Sequence, residues 1–162
     1  MSSSISRRSI DVSHVLIEST KPFTDVRHSL EASIAHLDGE ISVLLDEGMT
    51  DRLRQHLEAA PELSVFIERN HGALLQLYGK ARNAIQYEIG NPLTASKMTR
   101  YRLAAGLYAP LRVILYENDD GGSCIEYDLP SSLFGQFDDD RITEVARGLD
   151  VALGRALSAA TF

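Results

Sequence analysis

Alternating hydrophobic and polar residues predict five short β-strands along the 162-residue chain. The first strand covers residues 10–18, where one face carries Ile10, Val12, His14 and Leu16. The other four strands cover residues 63–69, 84–89, 111–117 and 123–129. Residues 118–122 separate the last two strands, and their Asp-Gly sequence is typical of the turn of an antiparallel hairpin.

Hydrophobic residues three and four positions apart predict helices between these strands. The longest such series runs from Val26 to Leu44 and predicts one amphipathic helix of about six turns over residues 24–47. Gly39 is expected to bend this helix and Gly48 to end it. Further helices are predicted over residues 50–60, 71–81, 94–108 and 138–160.

The order of these elements, β-α-(α)-β-α-β-α-β-β-α, indicates an α+β fold. We expect a single mixed or antiparallel sheet of about five strands, with helices largely on one of its faces. The sequence contains no repeat and no change in composition that would mark a linker. It therefore predicts one domain over residues 10–162, preceded by a flexible, Ser-rich N-terminus over residues 1–9.

The composition is that of an ordinary globular protein, with 44% hydrophobic and 24% charged residues. The apolar runs are far shorter than the roughly 20 residues that a membrane span needs, and the N-terminus lacks the apolar segment of a secretion signal. Cys124 is the single cysteine, which excludes an internal disulfide. The sequence thus predicts a cytoplasmic location and no membrane partner.

The charge of the chain is unevenly distributed. The net charge of −7 argues against nucleic-acid binding, which depends on neutralising phosphates. Residues 69–112, however, contain seven basic residues and the single acid Glu88, so this segment carries +6 and the remainder −13. Two interpretations stay open: the basic segment pairs with acidic helices elsewhere, or it forms a site for a small anionic ligand.

The residue pattern gives little support for a metal site or for a catalytic nucleophile. The five histidines are scattered and form neither an HxH nor an HExxH pair, so no metal site and no cofactor are predicted. Cys124 lies in a predicted strand near two acids, where a buried, unreactive thiol is expected. The segment from Gly90 to Lys97 lacks the spacing of a phosphate-binding loop.

Polar turns follow the second and third predicted strands. His71 lies in the first turn, and Asn91 lies in the second, within Gly90-Asn91-Pro92. If the two strands are parallel, both turns meet at one edge of the sheet, and the helix with Lys97 and Arg100 follows directly. This pattern predicts a ligand site formed by His71, Asn91, Lys97 and Arg100. Alternatively, Asn91 bonds to its own turn and His71 caps the next helix.

Several of these marks together resemble the bacterial and archaeal domain of unknown function family 302. The resemblance covers about residues 63–130 and rests on these residues: His71, Gly79, Gly90-Asn91-Pro92, Pro110 and Asp120-Gly121. It implies a compact α/β domain and a homodimer, with no established activity. Two departures are that Asn70 replaces the usual acidic residue before the histidine, and that residues 39–62 form an added helical insertion.

Three functions are compatible with these observations. The first is a small binding domain, for a ligand or a partner, with its site near the Gly-Asn-Pro turn. The second is a small enzyme that uses His71 as general acid or base, a role that suits histidine near neutral pH. The third is a homodimeric interaction protein that associates through the 24–47 helix and the insertion.

Overall fold

The five predicted strands form a single antiparallel sheet. The computed structural model describes residues 3–162. Within them the strands lie in the spatial order β1-β5-β4-β3-β2, and every neighbouring pair is antiparallel. The strands are β1 (His14–Ser19), β2 (Ser64–Asn70), β3 (Ala84–Gly90), β4 (Leu111–Glu117) and β5 (Ser123–Asp128). The α+β prediction is confirmed, and of the two sheet types considered the antiparallel one is correct.

Seven α-helices accompany the sheet within the described residues. They are α1 (Phe23–Ser33), α2 (Glu40–Asp46), α3 (Thr50–Ala59), α4 (His71–Leu74), α5 (Pro92–Thr99), α6 (Pro130–Phe134) and α7 (Asp140–Thr161). Short 3₁₀ segments follow α4, α5 and α6. No helix among residues 3–162 is long and apolar enough to cross a membrane.

The core lies between one face of the sheet and the helices α1 and α7. The sheet contributes alternating residues such as Tyr87, Val113 and Ile125, each with no exposed surface. Helix α7 contributes the buried stripe that its periodicity predicts, which includes Ile142, Leu149, Leu153 and Leu157. Period two in the strands and period 3.6 in the helix bring these apolar faces together.

The β4–β5 hairpin forms where its sequence predicts. The side-chain oxygen of Asn118 accepts hydrogen bonds from the backbone N–H groups of Asp120 and Gly122, at 3.1 and 2.8 Å. Gly121 adopts φ 83°, a left-handed conformation that glycine tolerates. The turn is thus specified by local residues, which explains why the sequence alone identifies it.

The predicted six-turn helix over residues 24–47 is wrong. Helix α1 ends at Ser33, and α2 begins only at Glu40. Between them the chain is extended and bonds to β2, because Val65 N–H donates to Ala35 O at 2.9 Å and Leu37 N–H donates to Val65 O at 2.8 Å. Gly39 therefore precedes α2 instead of bending a continuous helix.

Other predicted boundaries also shift. Strand β1 begins at His14, not residue 10, and Val15 and Ile17 face the core while His14 and Leu16 are exposed. The predicted helices 71–81 and 94–108 are shorter α-helices, each followed by a 3₁₀ segment. Of the N-terminal segment 1–9, residues 1 and 2 lie outside the described residues, and residues 3–9 contain neither helix nor strand.

Candidate functional site

The antiparallel sheet separates two of the predicted site residues. In the β2–β3 pair Asn70 lies opposite Ile85, and Ser64 lies opposite Gly90. His71 and Asn91 therefore lie at opposite ends of a seven-residue strand, about 20 Å apart at the usual rise per residue. The prediction that both turns meet at one edge is wrong, because it required β2 and β3 to run parallel.

Asn91 begins helix α5 and ties it to the end of α3. Its side-chain oxygen accepts a hydrogen bond from the backbone N–H of Thr94 at 3.0 Å, and its side-chain nitrogen donates to Pro61 O at 2.9 Å. The following Pro92 holds Asn91 in the extended conformation that an N-cap needs, and proline suits the first helical position. The Gly-Asn-Pro turn is thus first a structural element.

His71 is exposed at the other end of the sheet. Helix α4 is capped by its neighbour Asn70, whose side-chain oxygen accepts from Ala73 N–H at 2.9 Å. Within residues 3–162 the His71 imidazole has neither a hydrogen-bond partner nor an ion-pair partner. The acid–base role of His71 stays a prediction, and no hydrogen bond within the described residues orients its imidazole.

Lys97 and Arg100 line a groove between α5 and the α2–α3 pair. The groove has a volume of about 770 Å³, within the range of small-molecule sites. One face of α5 supplies Leu93 and Lys97, and Arg100 directly follows the last residue of the helix. The opposite wall is formed by residues of α2 and α3, namely Ile41, Leu45, Thr50, Leu53, Arg54, Leu57 and Glu58.

The groove residues next to one end of α3 and α5 include two leucines, and the three cations lie farther from that end. The Asn91–Pro61 hydrogen bond fixes the end of α3 beside the start of α5. Leu57 and Leu93 lie next to the junction, in the last turn of α3 and the first turn of α5. Arg54, Lys97 and Arg100 lie farther along the two helices. We call the end of the groove at this junction its apex: Leu57 and Leu93 lie there, and the cations lie farther from it, where Leu53 precedes Arg54 along α3.

The three cations of the groove have no carboxylate partner. Within residues 3–162 no acidic oxygen lies within 4.0 Å of the side-chain nitrogens of Arg54, Lys97 or Arg100, and all three side chains are exposed. Arg100 instead donates a hydrogen bond to the Tyr101 hydroxyl, and its guanidinium lies 4.5 Å from the centre of that ring. The charges are therefore accessible to an anion.

The rest of the basic segment is only partly neutralised. Arg69 pairs with Glu88, and Arg82 pairs with Glu117 and Asp119 at 3.5 and 3.0 Å. These carboxylates lie in strands and in the hairpin loop, not in acidic helices as one interpretation expected. The other basic residues of the segment form no ion pair in the described part of the chain.

The comparisons identify the family. A family model described as "Domain of unknown function DUF302" matches residues 47–160, more than half of the chain. The chain belongs to the DUF302 family. The resemblance noted in residues 63–130 is thereby confirmed. The DUF302 match begins inside the segment 39–62, so α3 lies within the matched range. That this segment is an insertion stays a prediction, as does the homodimer, whose proposed 24–47 helix is discontinuous.

A solved DUF302 structure has the same fold. It is the crystal structure of an uncharacterized conserved DUF302 protein from Bacillus stearothermophilus, at 19% sequence identity and a TM-score of 0.65. The similarity covers 91% of this chain and 97% of that one. At this identity the likeness supports the fold alone. The comparison with curated proteins found no match.

Two further features of this DUF302 chain adjoin the groove. A small apolar cavity of about 80 Å³ lies behind the Gly-Asn-Pro turn, and Asn91 and Pro110 are among its lining residues. On the other side, His56 of α3 contacts Asp38 at 3.3 Å and Glu40 at 3.9 Å. The ligand atoms of these three residues lie within 4.8 Å of one another, a proximity that the sequence spacing does not reveal. We interpret the cluster as ion pairs that hold α3 against the start of α2.

Proposed function

We propose that this DUF302 protein is a binding domain for a small anionic ligand, held in the groove between α3 and α5. The supporting observation is that Arg54, Lys97 and Arg100 line one groove without a carboxylate partner among the described residues. Unpaired cations at a concave surface attract anions and orient them. Lys97 and Arg100 were expected from the sequence, and Arg54 is added by the packing of α3 against α5.

His71 and Asn91 have no place in this proposal. His71 lies at the far end of the sheet, and both polar atoms of the Asn91 amide already form hydrogen bonds within the fold. The Gly-Asn-Pro turn contributes by fixing the angle between the two helices. The proposed site thus keeps the predicted location near the turn, but it drops His71 and Asn91 and adds Arg54.

The charge requirement is tested by NMR titration of the ¹⁵N-labelled protein with butanoate and, separately, with butylammonium. We expect butanoate to shift amide signals in α3 and α5, and butylammonium to leave them unchanged. Two unit charges about 4 Å apart in water interact by roughly 1 kcal/mol, so each lost cation should weaken butanoate binding about fivefold. Added salt should weaken the binding further.

The variant for this test is Arg54→Gln/Lys97→Gln/Arg100→Gln. A matched control, Lys80→Gln/Arg102→Gln/Arg112→Gln, removes three exposed cations outside the groove and changes the net charge equally. The groove variant should lose binding and the control should keep it. Equal loss in both variants, or shifts that butylammonium also produces, would refute the proposal.

A further inference from the structure

We infer that the ligand of this groove is a single-chain anionic amphiphile. It is an aliphatic carboxylate whose chain contacts the leucines that line the groove and whose head group pairs with the cations. This inference rests on the proposed function and adds the chemical class of the ligand. The apolar residues of the groove support this inference, because an inorganic or fully polar anion would leave them exposed to water.

Helix α3 has an apolar side that the rest of the described chain covers only in part. It is ten residues long, amphipathic and without a single buried side chain. Leu53 and Leu57 are only half-buried on it, and Leu45 of α2 is 59% exposed beside them. A surface helix normally buries such a stripe against its own core. Here the stripe faces the groove, where an apolar ligand would cover it.

The distribution of charge fixes the orientation of the ligand. The apex is lined by Leu57 and Leu93, and Glu58 next to Leu57 repels an anionic group there. The cations lie farther from the Asn91–Pro61 junction than the two leucines. A carboxylate at the cations with its chain toward the apex matches this order, because the aliphatic chain removes apolar surface from water and the head group pairs with the cations.

The shape of the groove favours a slender chain over a helix of another protein. The Asn91–Pro61 hydrogen bond joins the end of α3 to the start of α5 at the apex. An α-helix with its side chains is about 10 Å wide, whereas an alkyl chain is thin and can end at the apex. From Leu93 to Arg100 the α5 wall is about 10 Å long, close to the extended length of octanoate.

The inference is tested with a series of straight-chain carboxylates from butanoate to decanoate, titrated below their critical micelle concentrations at fixed pH and ionic strength. Burial of each methylene should lower Kd about fourfold, up to octanoate, after which the gain should cease because the groove is filled. The Arg54/Lys97/Arg100 variant should weaken every member of the series by a similar factor.

A second variant, Leu57→Ser/Leu93→Ala, removes the apolar apex. We expect it to bind butanoate nearly as well as the unchanged protein and to lose the dependence on chain length. Leu77→Ala is the matched control, since Leu77 is 82% exposed outside the groove.

The proposed anion site and the inferred amphiphile are refuted by different results. Affinity that needs the cations but is independent of chain length refutes the amphiphile and leaves the anion site intact. Chain-length dependence that survives in the leucine variant also refutes the amphiphile assignment. Binding that ignores the cations refutes the anion site itself.

Discussion

Tyr87 connects the centre of the sheet to the first helix through one buried hydroxyl. It has no exposed surface, and its hydroxyl donates a hydrogen bond of 2.9 Å to Glu31 of α1. Burial raises the pKa of Tyr87, and the adjacent Glu31 carboxylate raises it further. Burial alone would also raise the pKa of Glu31, but hydrogen bonds from Arg27 and Tyr87 outweigh it and the pKa is lowered. Both groups thus keep the charge states that the hydrogen bond requires.

The Tyr87→Phe variant should lower the free energy of unfolding by about 1.5 kcal/mol, because the hydroxyl is lost from a bond to a charged acceptor. The variant keeps the ring and its packing. Tyr78→Phe serves as control, since Tyr78 is 86% exposed and should change stability by less than about 0.5 kcal/mol. Urea unfolding followed by circular dichroism measures both. Equal stability of the two variants would contradict the role assigned to Tyr87.

Two glycines differ in whether the surrounding structure leaves room for a side chain. At Gly72, near the start of α4, an added Cβ would lie 1.9 Å from Arg82 O and 2.7 Å from Ala84 N, because the chain returns closely past this point. At Gly148, an exposed position within α7, an added Cβ would meet nothing within 4 Å. The first glycine is required by tertiary contact, and the second only lowers the stability of the helix.

Alanine substitutions should therefore change stability in opposite directions. Gly72→Ala should destabilise the protein by more than about 2 kcal/mol, since backbone atoms must move to admit the methyl group. Gly148→Ala should stabilise it by roughly 0.5–1 kcal/mol, because alanine has the higher helix propensity. Thermal unfolding by calorimetry measures both changes. An unchanged midpoint for Gly72→Ala would show that the α4 turn relaxes easily.

The elements that local sequence specifies were predicted well, and those that depend on distant contacts were not. Helix α7 and the β4–β5 hairpin follow from periodicity and from turn residues. The break after Ser33 does not, because Leu30, Ile34 and Ile41 are buried at helix-like spacing on both sides of it. Only the pairing of residues 35–37 with Val65, a partner far along the chain, ends the helix there.

The same distinction holds for the candidate site at the scale of the molecule. Lys97 and Arg100 were predicted because they stand in a basic segment, which is a property of the sequence. Arg54 is three residues before Leu57 and therefore shares a face of α3 with it. Its place opposite α5, however, follows only from the packing of the two helices. His71 was misplaced since the direction of β2 relative to β3 is a non-local choice that alternation of residues cannot fix.

A polar network crosses three strands on the sheet face opposite the core. His14 of β1 contacts Asp128 at 3.0 Å and Glu126 at 2.7 Å, both on β5, and Glu126 accepts a hydrogen bond from Tyr116 of β4. Hydrogen bonds to Asp128 and then to Glu126 raise the pKa of His14. Hydrogen bonds from Tyr116 and then His14 lower the pKa of Glu126. The network thus depends on a protonated imidazole.

This network should make the stability of the whole molecule depend on pH. Because the folded-state pKa of His14 is raised, its contribution is fully present below the unfolded value of about 6.5 and is lost as pH rises through the folded value. The stability difference between the unchanged protein and His14→Asn should therefore shrink as the pH rises above about 6.5. Urea unfolding at a series of pH values measures it. His28→Asn, at an exposed position, serves as the control for the substitution itself.

The extended segment before α2 also determines how the sheet can associate with other chains. Strand β2 is an edge strand, and its outward backbone groups at Val65 are already bonded to Ala35 and Leu37. A β-bulge lies between Val65 and Ile67. Such irregularities interrupt the regular row of backbone N–H and C=O groups to which an incoming strand would bond. Edge-to-edge polymerisation on this side is thus restricted to the charged second half of β2. The extended segment between α1 and α2 consequently protects the protein against aggregation by strand addition.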